Sequence, residues 1–369
     1  MSQRTIALIV VGILIIACVG IGAYMAMGEN DDGKDGIEVT DLRGRTVTIP
    51  ENIDKIVCLS AGSVRLATYL DATDMIVGVD DFDKGLKGPS PDTPRWSHAT
   101  YRLAFDTTKI TCVGSESNYK AIMETGAQLI ITSKVDVGEI DQIQKNTGIP
   151  TIGIIAEGQV NVNDKEFRDN INLLGKALGK EQRAKQLLDG IDSMVNELKG
   201  YASKTDNDKK AYIGGMFYMM EGDFYKTSGN YIPFNLAGIK NTMPAMDGNP
   251  YNTDAKSIAE AGADYIFVDS INGYSSKPLF DKNKEVFSDL GAVKDGKIYS
   301  TFSYKFYGTN WESELMNAYY IGSIVNPDEY KYDVEEKVNA VLDLFYPDAD
   351  ITMSDLTEKQ GPGASKLDW

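Results

Sequence analysis

The chain has 369 residues, of which 42% are hydrophobic and 25% charged, an ordinary globular composition that is long enough for two domains with separate cores. The formal net charge of -17 argues against nucleic acid or an anionic membrane surface as a partner and is typical of a solvated extracellular surface. The body has no dinucleotide-binding glycine pattern, phosphate loop or nucleophile elbow, and one histidine is a poor supply of general bases.

An uncharged apolar run at residues 6–27 is long enough to cross a bilayer. Arg4 precedes the run and acidic residues follow it, so the N-terminus is predicted to be cytoplasmic and the body outside. Residues 1–28 are predicted to be an uncleaved membrane anchor or a lipoprotein signal that leaves a lipidated Cys18. The apolar run continues past Cys18, which favours the anchor. Either alternative tethers an exported body to the cell membrane through the linker 29–36.

The body begins with a predicted hairpin at residues 39–50, followed by a strand at 55–59, a helix at 63–70 and a strand at 75–79. Short apolar strands that alternate with helices predict a largely parallel sheet. Cys58 and Cys112 lie in apolar strand-like runs, which predicts two buried thiols. An exported location also permits a disulfide between them, so both states stay open.

The long segment 80–108 leaves regular structure and is rich in aromatic and basic residues. Trp96 and Tyr101 can stack on a planar ligand, and Arg95 or Arg102 can pair with its carboxylates. The alternative is that these side chains only pack the segment onto its lobe. A single histidine, His98, cannot build a histidine-based metal site.

Two copies of the pattern K-x-I-x-E-x-G-A, at residues 120–127 and 256–263, each precede an apolar strand. This repetition predicts two related lobes. Between them, residues 181–201 carry apolar side chains at helical spacing, which predicts one helix roughly 30 Å long. We therefore predict an N-terminal lobe at 37–160, connecting helices at 161–203, a C-terminal lobe at 204–346 and a polar tail at 347–369. The apolar stripe comprises Ala184, Leu187, Leu188, Ile191, Met194, Val195 and Leu198.

Three tyrosine-rich stretches follow the predicted strands of the C-terminal lobe, where ligands bind in open α/β sheets. Each tyrosine alone is as consistent with a core position as with a ligand contact. We expect Trp96, Tyr218, Tyr225 and Tyr304 to face the cleft between the lobes, and tyrosinate ligation of iron by Tyr218, Tyr225, Tyr304 and Tyr307 is a further hypothesis. The complete set of predicted ligand-binding residues is Ser60, Asp81, Arg95, Trp96, Tyr101, Tyr218, Tyr225, Tyr274, Tyr304 and Tyr307.

The opening V-T-D-L-x-G-R-x-V-x-I-P at residues 39–50 and the strand at 55–60 resemble class III periplasmic binding proteins, the iron-siderophore, haem and cobalamin receptors of ABC importers. The resemblance covers residues 37–346, and the N-terminus suggests a membrane-tethered, archaeal-type form. It implies an α/β fold of two Rossmann-like lobes with parallel sheets, bridged by one long rigid α-helix.

The same resemblance implies a monomer that needs no cofactor, binds a metal chelate or macrocycle in the cleft and delivers it to an ABC permease dimer. An iron-siderophore or a corrinoid is favoured, and haem is weakest because His98 is the only imidazole. The alternatives are a metallocluster or chelatase-type enzyme on the same bilobal fold, and a structural cell-surface protein.

In this family each lobe usually carries a surface glutamate that docks on permease arginines. The matching positions are Lys120 and Lys256, so the resemblance implies docking lysines of inverted sign. A shifted register would place the role on Glu116, Glu124 or Glu260 instead, and the two lysines are also compatible with ordinary solvated positions.

Overall fold

The computed structural model describes residues 36–156, 160–205, 208–218, 222–246 and 249–369. The anchor and the lipidated Cys18 were predicted for residues that lie outside these ranges. Within them, no helix combines the length and the apolar character that a bilayer-spanning segment requires.

The first lobe contains a hairpin and a five-stranded parallel sheet, whose strands lie in the order Thr111–Gly114, Ile76–Asp80, Ile56–Leu59, Leu129–Thr132 and Thr151–Gly153. Side chains alternate across the sheet. Ile56 and Cys58 face the main core, whereas Val57 and Leu59 pack in a smaller core on the other face, which explains the continuous apolar strand sequence. In chain order the elements are β1 (Gly36–Thr40), β2 (Thr46–Pro50), β3 (Ile56–Leu59), α1 (Ser63–Tyr69), β4 (Ile76–Asp80), α2 (Tyr101–Ala104), β5 (Thr111–Gly114), α3 (Tyr119–Glu124), β6 (Leu129–Thr132), α4 (Val137–Thr147) and β7 (Thr151–Gly153), with short 3-10 helices at Thr73–Met75, Pro94–His98 and Thr107–Lys109.

Two helices connect the lobes: α5 (Lys165–Ala177) and α6 (Glu181–Ala202). The predicted long helix is confirmed, and all of its apolar stripe is buried except Met194, which is half-buried. Arg183 on α6 donates hydrogen bonds to the backbone oxygens of Tyr69 in the first lobe and of Leu344 near the C-terminus. The helix thus packs against both halves of the body, as its apolar stripe predicted.

The second lobe has a four-stranded parallel sheet, whose strands lie in the order Lys240–Asn241, Lys210–Gly214, Tyr265–Asp269 and Ile298–Thr301. Two short strands, Lys226–Thr227 and Tyr251–Asn252, pair separately. This arrangement, with the first lobe and α6, confirms the predicted α/β fold class. The elements are β8 (Lys210–Gly214), β9 (Lys226–Thr227), α7 (Ile232–Leu236), β10 (Lys240–Asn241), β11 (Tyr251–Asn252), α8 (Ala255–Ala261), β12 (Tyr265–Asp269), a 3-10 helix (Ser270–Asn272), α9 (Gly273–Lys282), α10 (Lys284–Phe287), α11 (Gly291–Lys294), β13 (Ile298–Thr301), α12 (Trp311–Val325), α13 (Val334–Phe345) and α14 (Met353–Lys359).

The sequence repeat has the same structure in both lobes. Ile122 on α3 and Ile258 on α8 are buried, and Gly126 and Gly262, with φ of 69° each, terminate the two helices in the left-handed conformation that glycine accepts. The strand that follows each repeat pairs in parallel with the first strand of its own sheet, β6 with β3 and β12 with β8. The two lobes are therefore internally related by structure as well as by sequence.

The segment predicted as a polar tail, residues 347–369, is instead packed on the second lobe. Its backbone pairs with the edge strand β13, where Ser300 N donates to Ser365 O at 2.8 Å and Leu367 N to Ile298 O at 2.9 Å. The ring of Trp369 lies 5.2 Å from that of Phe280. The unpaired backbone of an edge strand accounts for this docking, and the local polar composition gave no sign of it.

Candidate ligand-binding site

The carboxyl ends of the first-lobe strands bring polar side chains together around Ser60. Ser60 has a φ of 67°, which is strained for a residue with a side chain. Its N–H donates to Asp80 Oδ2 at 2.8 Å, its hydroxyl donates to Glu116, and Thr132 Oγ1 lies 3.2 Å from Ser60 Oγ. Glu116 in turn forms an ion pair with Lys134 at 2.8 Å. Four strand ends thus contribute to one hydrogen-bonded edge.

Tyr307 connects this edge to the second lobe. Its hydroxyl donates to Asp80 Oδ2 at 2.9 Å, and its ring stacks on Phe82 with centroids 3.8 Å apart. Burial, followed by the negative charges of Asp83 and Asp80, raises the pKa of the Tyr307 phenol, so the neutral hydroxyl remains a donor. Asp80 Oδ1 accepts the N–H groups of Phe82 and Asp83, which engages both carboxylate oxygens.

Arg65 on α1 makes a second, fully buried connection between the lobes. Its guanidinium donates to the backbone oxygens of Phe306 and Tyr307 and to Asn310 Oδ1, each at 2.9 Å. The same group lies 4.8 Å from the ring centroid of Tyr101. A buried arginine with three charge-assisted hydrogen bonds strongly restrains the loop between β13 and α12.

Three recesses lined by described residues open along these strand ends. The large recess is an open depression of about 690 Å³ between the 3-10 helix Pro94–His98 and the strand ends of the second lobe. Two smaller recesses, of about 190 and 240 Å³, lie against the first-lobe edge and share Ser115 and Glu116. The large recess is lined by Thr93, Pro94, Arg95, His98, Gly222, Asp223, Ile271, Asn272, Tyr274, Ser275 and Gly361.

Arg95 and His98 form the first-lobe wall of the large recess, and both residues contact the second lobe. The exposed Arg95 guanidinium lies 5.2 Å from the ring centroid of Phe217, which follows β8. His98 is buried, its Nδ1 shares a hydrogen bond with Ser303 Oγ, and its backbone oxygen accepts Asn310 Nδ2 at 2.8 Å. Burial, and secondarily the charge of Arg95, lowers the pKa of His98 to about 3, so the imidazole is neutral at physiological pH.

His98 should make the protein lose stability as the pH falls below 6.5. In that range the unfolded chain takes up a proton on this histidine and the folded protein does not, so unfolding becomes easier. Replacement of this single histidine, as His98→Asn, should reduce the stability lost between pH 7.5 and pH 5 by about 2 kcal/mol, measured by urea unfolding.

The wild type is the reference for His98→Asn, because the buried acids of the protein contribute equally to the pH dependence of both proteins. Ser303→Ala, which removes the hydroxyl partner and keeps the imidazole, is the matched control. Identical pH slopes for the wild type and His98→Asn would show that His98 titrates normally in the folded protein and is not buried.

Several predicted ligand-binding residues do lie along these strand ends. Arg95 and the exposed Tyr274 line the large recess, and Ser60 and Tyr307 belong to the edge around Asp80. Asp81 lines the 190 Å³ recess, where it pairs with Lys87 at 2.7 Å and accepts a hydrogen bond from Cys112 Sγ. Tyr218 is half-buried beside residues 219–221, which lie outside the described ranges.

Three of the four side chains expected to face the cleft are instead held in packed surroundings. Trp96 is buried, and the Arg102 guanidinium lies 3.8 Å from its ring centroid. Tyr304 is buried and bonded to Glu314 at 3.2 Å. Tyr225 is half-buried, packs against the core beside Phe224 and accepts a hydrogen bond from Asn283 Nδ2 at 2.6 Å. The expected orientation toward the cleft is wrong for these three side chains, because they contact polar and aromatic partners within the protein instead.

Tyr101 departs from its predicted role for a similar reason. It is buried, and its hydroxyl donates to the carboxylate of Asp83 while accepting a hydrogen bond from Arg102 Nε at 3.2 Å. Burial, and secondarily Asp80, raises the pKa of Asp83 to about 6. Tyr101 and Arg102 therefore stabilise the buried carboxyl group of Asp83. Of Arg95 and Arg102, the two arginines predicted to pair with a ligand, Arg95 is the exposed one.

The tyrosinate iron hypothesis fails on placement. Tyr225 and Tyr304 lie in different packed environments and do not converge with Tyr307. Burial is the largest cause that raises the pKa of each of these three phenols, which opposes formation of the phenolate. Among the described residues, no group of three histidine, cysteine, aspartate or glutamate side chains is arranged to hold a metal ion, and Cys58 and Cys112 are free thiols.

Sequence reasoning missed Asp80, Glu116, Lys134 and Arg65 as members or supports of the site. The position of Asp80 at the end of β4 was a usable signal, because ligand sites in such sheets lie at strand ends. Arg65 carried no signal, since its partners lie more than 240 positions away in the chain.

Two parallel sheets, a connecting helix and recesses at the facing strand ends define a bilobal solute-binding protein. A family profile described as periplasmic binding protein matches residues 56–304. The chain belongs to this family, in the class III group that its opening motif resembles.

Relatives of known specificity extend this likeness along most of the chain. The petrobactin-binding protein YclQ of Bacillus subtilis is 25% identical over 79% of this chain and 87% of its own. The Fe(3+)-citrate-binding protein YfmC of the same organism is 24% identical over 81% of this chain and 89% of its own. The structure of the Haemophilus influenzae molybdate-binding protein MolA, bound to molybdate, superposes with a TM-score of 0.64 at 19% identity, covering 86% of this chain and 99% of that one.

Proposed function

We propose that this protein is the extracellular substrate-binding component of an ABC importer, tethered by its N-terminus, that captures a metal chelate or macrocycle. The large recess carries the proposal. At about 690 Å³ it has the size of sites that enclose drug-sized ligands, and both lobes contribute to its wall. Iron-siderophores and corrinoids are the favoured ligands.

The size of the large recess favours a chelate over a small oxyanion, whereas its charge suits an anion of either kind. The exposed guanidinium of Arg95 at the recess suits an anionic ligand, which petrobactin and ferric citrate complexes provide. Two relatives bind such ligands, whereas MolA binds molybdate. An ion of molybdate size would occupy a small part of the recess and leave most of its wall without contacts.

We infer binding without chemistry in place of the enzyme alternative. With a pKa of about 3, His98 is a poor base at neutral pH. Both oxygens of Asp80 accept hydrogen bonds, and Glu116 is paired with Lys134. These groups are arranged to fix the site, which supports ligand capture better than proton transfer.

Native mass spectrometry of residues 37–369, which form one compact unit, tests the proposal. The probes are ferric petrobactin, ferric citrate, cyanocobalamin and molybdate. We expect one chelate or corrinoid per chain, and Arg95→Ala should weaken an anionic chelate roughly tenfold through the lost ion pair.

Arg168→Ala is the control, because it removes an arginine that pairs with Asp192 between the connecting helices, away from the recess. Binding of molybdate alone would contradict the chelate proposal. Equal affinities of Arg95→Ala and the wild type would remove the large recess from the binding site.

We also propose that Lys120 and Lys256 dock the protein on its permease dimer. Both are more than 80% exposed, and each pairs within its helix, with Glu124 at 3.7 Å and Glu260 at 3.6 Å. They are the second residues of the equivalent helices α3 and α8. Because each helix runs antiparallel to the strand that follows, both starts lie toward the strand ends that carry the site. Two like charges on related lobes suit acidic residues on a symmetric partner.

Reversal of both charges, Lys120→Glu with Lys256→Glu, should abolish ligand-stimulated ATP hydrolysis by the reconstituted transporter and leave ligand affinity unchanged. Lys165→Glu with Lys185→Glu is the matched control, since these lysines form similar i,i+4 pairs on the connecting helices. Unaltered stimulation would remove Lys120 and Lys256 from the docking surface, whereas lost ligand binding would place them in the ligand site.

A further inference from the structure

We propose that Gln360 is a positioning residue of the ligand site: its buried amide fixes the first-lobe segment 97–100 against the second lobe and thereby places Arg95 at the wall of the large recess. Gln360 does not line the recess, so it acts through its neighbours. The inference rests on the proposed function, because it assigns a role in binding at that same recess.

The contacts of Gln360 join three separate parts of the chain. The side chain is fully buried, and its Nε2 donates to Ser97 O at 2.9 Å and to Thr100 Oγ1 at 3.2 Å. Its Oε1 accepts a longer hydrogen bond from Ser303 N, at 3.5 Å, just after β13. One amide therefore links the C-terminal segment, the long first-lobe loop and a strand end of the second lobe.

Gln360 is itself held in place on both sides. It directly follows α14, which begins with a capping box between Thr352 and Asp355, and its N–H donates to Leu356 O at 2.8 Å. The next residue, Gly361, lines the large recess, and residues 365–367 then pair along β13. Because the C-terminal segment that carries Gln360 is docked, the amide has little freedom to follow a movement of residues 97–100.

The segment that Gln360 holds carries the first-lobe wall of the recess. Ser97 lies between His98, which lines the recess, and Trp96, which follows Arg95. His98 adds a second attachment through Ser303 Oγ, and Arg102 stacks on Trp96. Loss of the amide would leave Ser97 O and Thr100 Oγ1 without this donor in a buried setting, which favours a displaced segment.

Gln360→Met, which keeps the length and removes the hydrogen bonds, and Gln360→Ala test the inference in the full-length protein. Hydrogen exchange without ligand should become faster in residues 94–102, while the affinity for ferric petrobactin or ferric citrate, whichever the wild type binds, falls roughly tenfold. Gln128→Met is the matched control: that amide makes three hydrogen bonds to residues 52–55, away from the recess, and its loss should leave both measurements unchanged.

A double-mutant cycle separates positioning from general support. In an Arg95→Ala background, Gln360→Met should cause no further loss of affinity, because the group it positions is absent. A full additive loss, or unchanged affinity despite faster exchange, would overturn the positioning role, as would unchanged exchange. A wild-type protein that binds none of ferric petrobactin, ferric citrate and cyanocobalamin would instead refute the proposed function, and the exchange measurement would still decide whether Gln360 fixes the segment.

Discussion

Arg65→Ala is expected to destabilise the protein by about 3–5 kcal/mol, the range for removing one partner of a buried charged network. The substitution leaves the backbone oxygens of Phe306 and Tyr307 and the side-chain oxygen of Asn310 without their donor in the interior. Because these groups belong to the second lobe and Arg65 to the first, the lost hydrogen bonds are inter-lobe contacts. Urea unfolding at pH 7 measures the change in the free energy of unfolding.

Arg168→Ala is again the appropriate comparison. This arginine is partly exposed and pairs with Asp192, so its loss should cost less than about 1 kcal/mol. If the two variants lose equal stability, Arg65 does not connect the lobes in the way its contacts indicate.

Ile191→Asp is expected to cost several kcal/mol of stability. Ile191 is fully buried in the middle of α6, within the core that both lobes share. An aspartate at this position would either keep a charge in apolar surroundings or take up a proton and leave a poorly solvated carboxyl group. The melting temperature, followed by circular dichroism at neutral pH, should fall by many degrees.

Asn196→Asp provides the control on the same helix. It introduces the same charge at an exposed position, so the melting temperature should change by no more than a few degrees. A wild-type melting temperature for Ile191→Asp would mean that the stripe is not buried and that α6 does not organise the two lobes.

These contacts together favour a preformed site. Arg65, Tyr307 and Gln360 each cross between parts of the two lobes, and α6 packs against both. A site whose walls are already fixed loses less conformational entropy on binding, so more of the contact energy contributes to affinity. This agrees with the rigid bilobal architecture that the class III resemblance implies.

The sequence alone determined the long connecting helix and the plan of two lobes. Apolar residues at spacings of three and four predicted α6, because helical geometry puts them on one face regardless of what they pack against. The repeated K-x-I-x-E-x-G-A pattern predicted related lobes, since each copy builds the same helix, glycine turn and strand. Such features depend on neighbours a few residues away, which a linear sequence displays.

Some residues of the candidate site could also be predicted from the sequence. Arg95 and Tyr274 were predicted as ligand contacts from segments that follow strands, and in the structure both line the large recess. Strand polarity alone sets which end of a sheet a loop leaves from, so this much needs no tertiary information.

Only the tertiary structure decided which loop side chains face a recess and which turn inward. Tyr101 and Tyr304 look alike in sequence to exposed tyrosines, yet they bond to the buried acids Asp83 and Glu314. The segment that contains Gln360 and Trp369 docks on the second lobe because the edge strand β13 offers unpaired backbone groups and the ring of Phe280 offers an apolar contact. A buried polar group must find a partner wherever the fold brings one. Such pairs leave no periodic trace in the sequence, whether they are 18 residues apart, as Tyr101 and Asp83 are, or 263 apart, as Gln360 and Ser97 are.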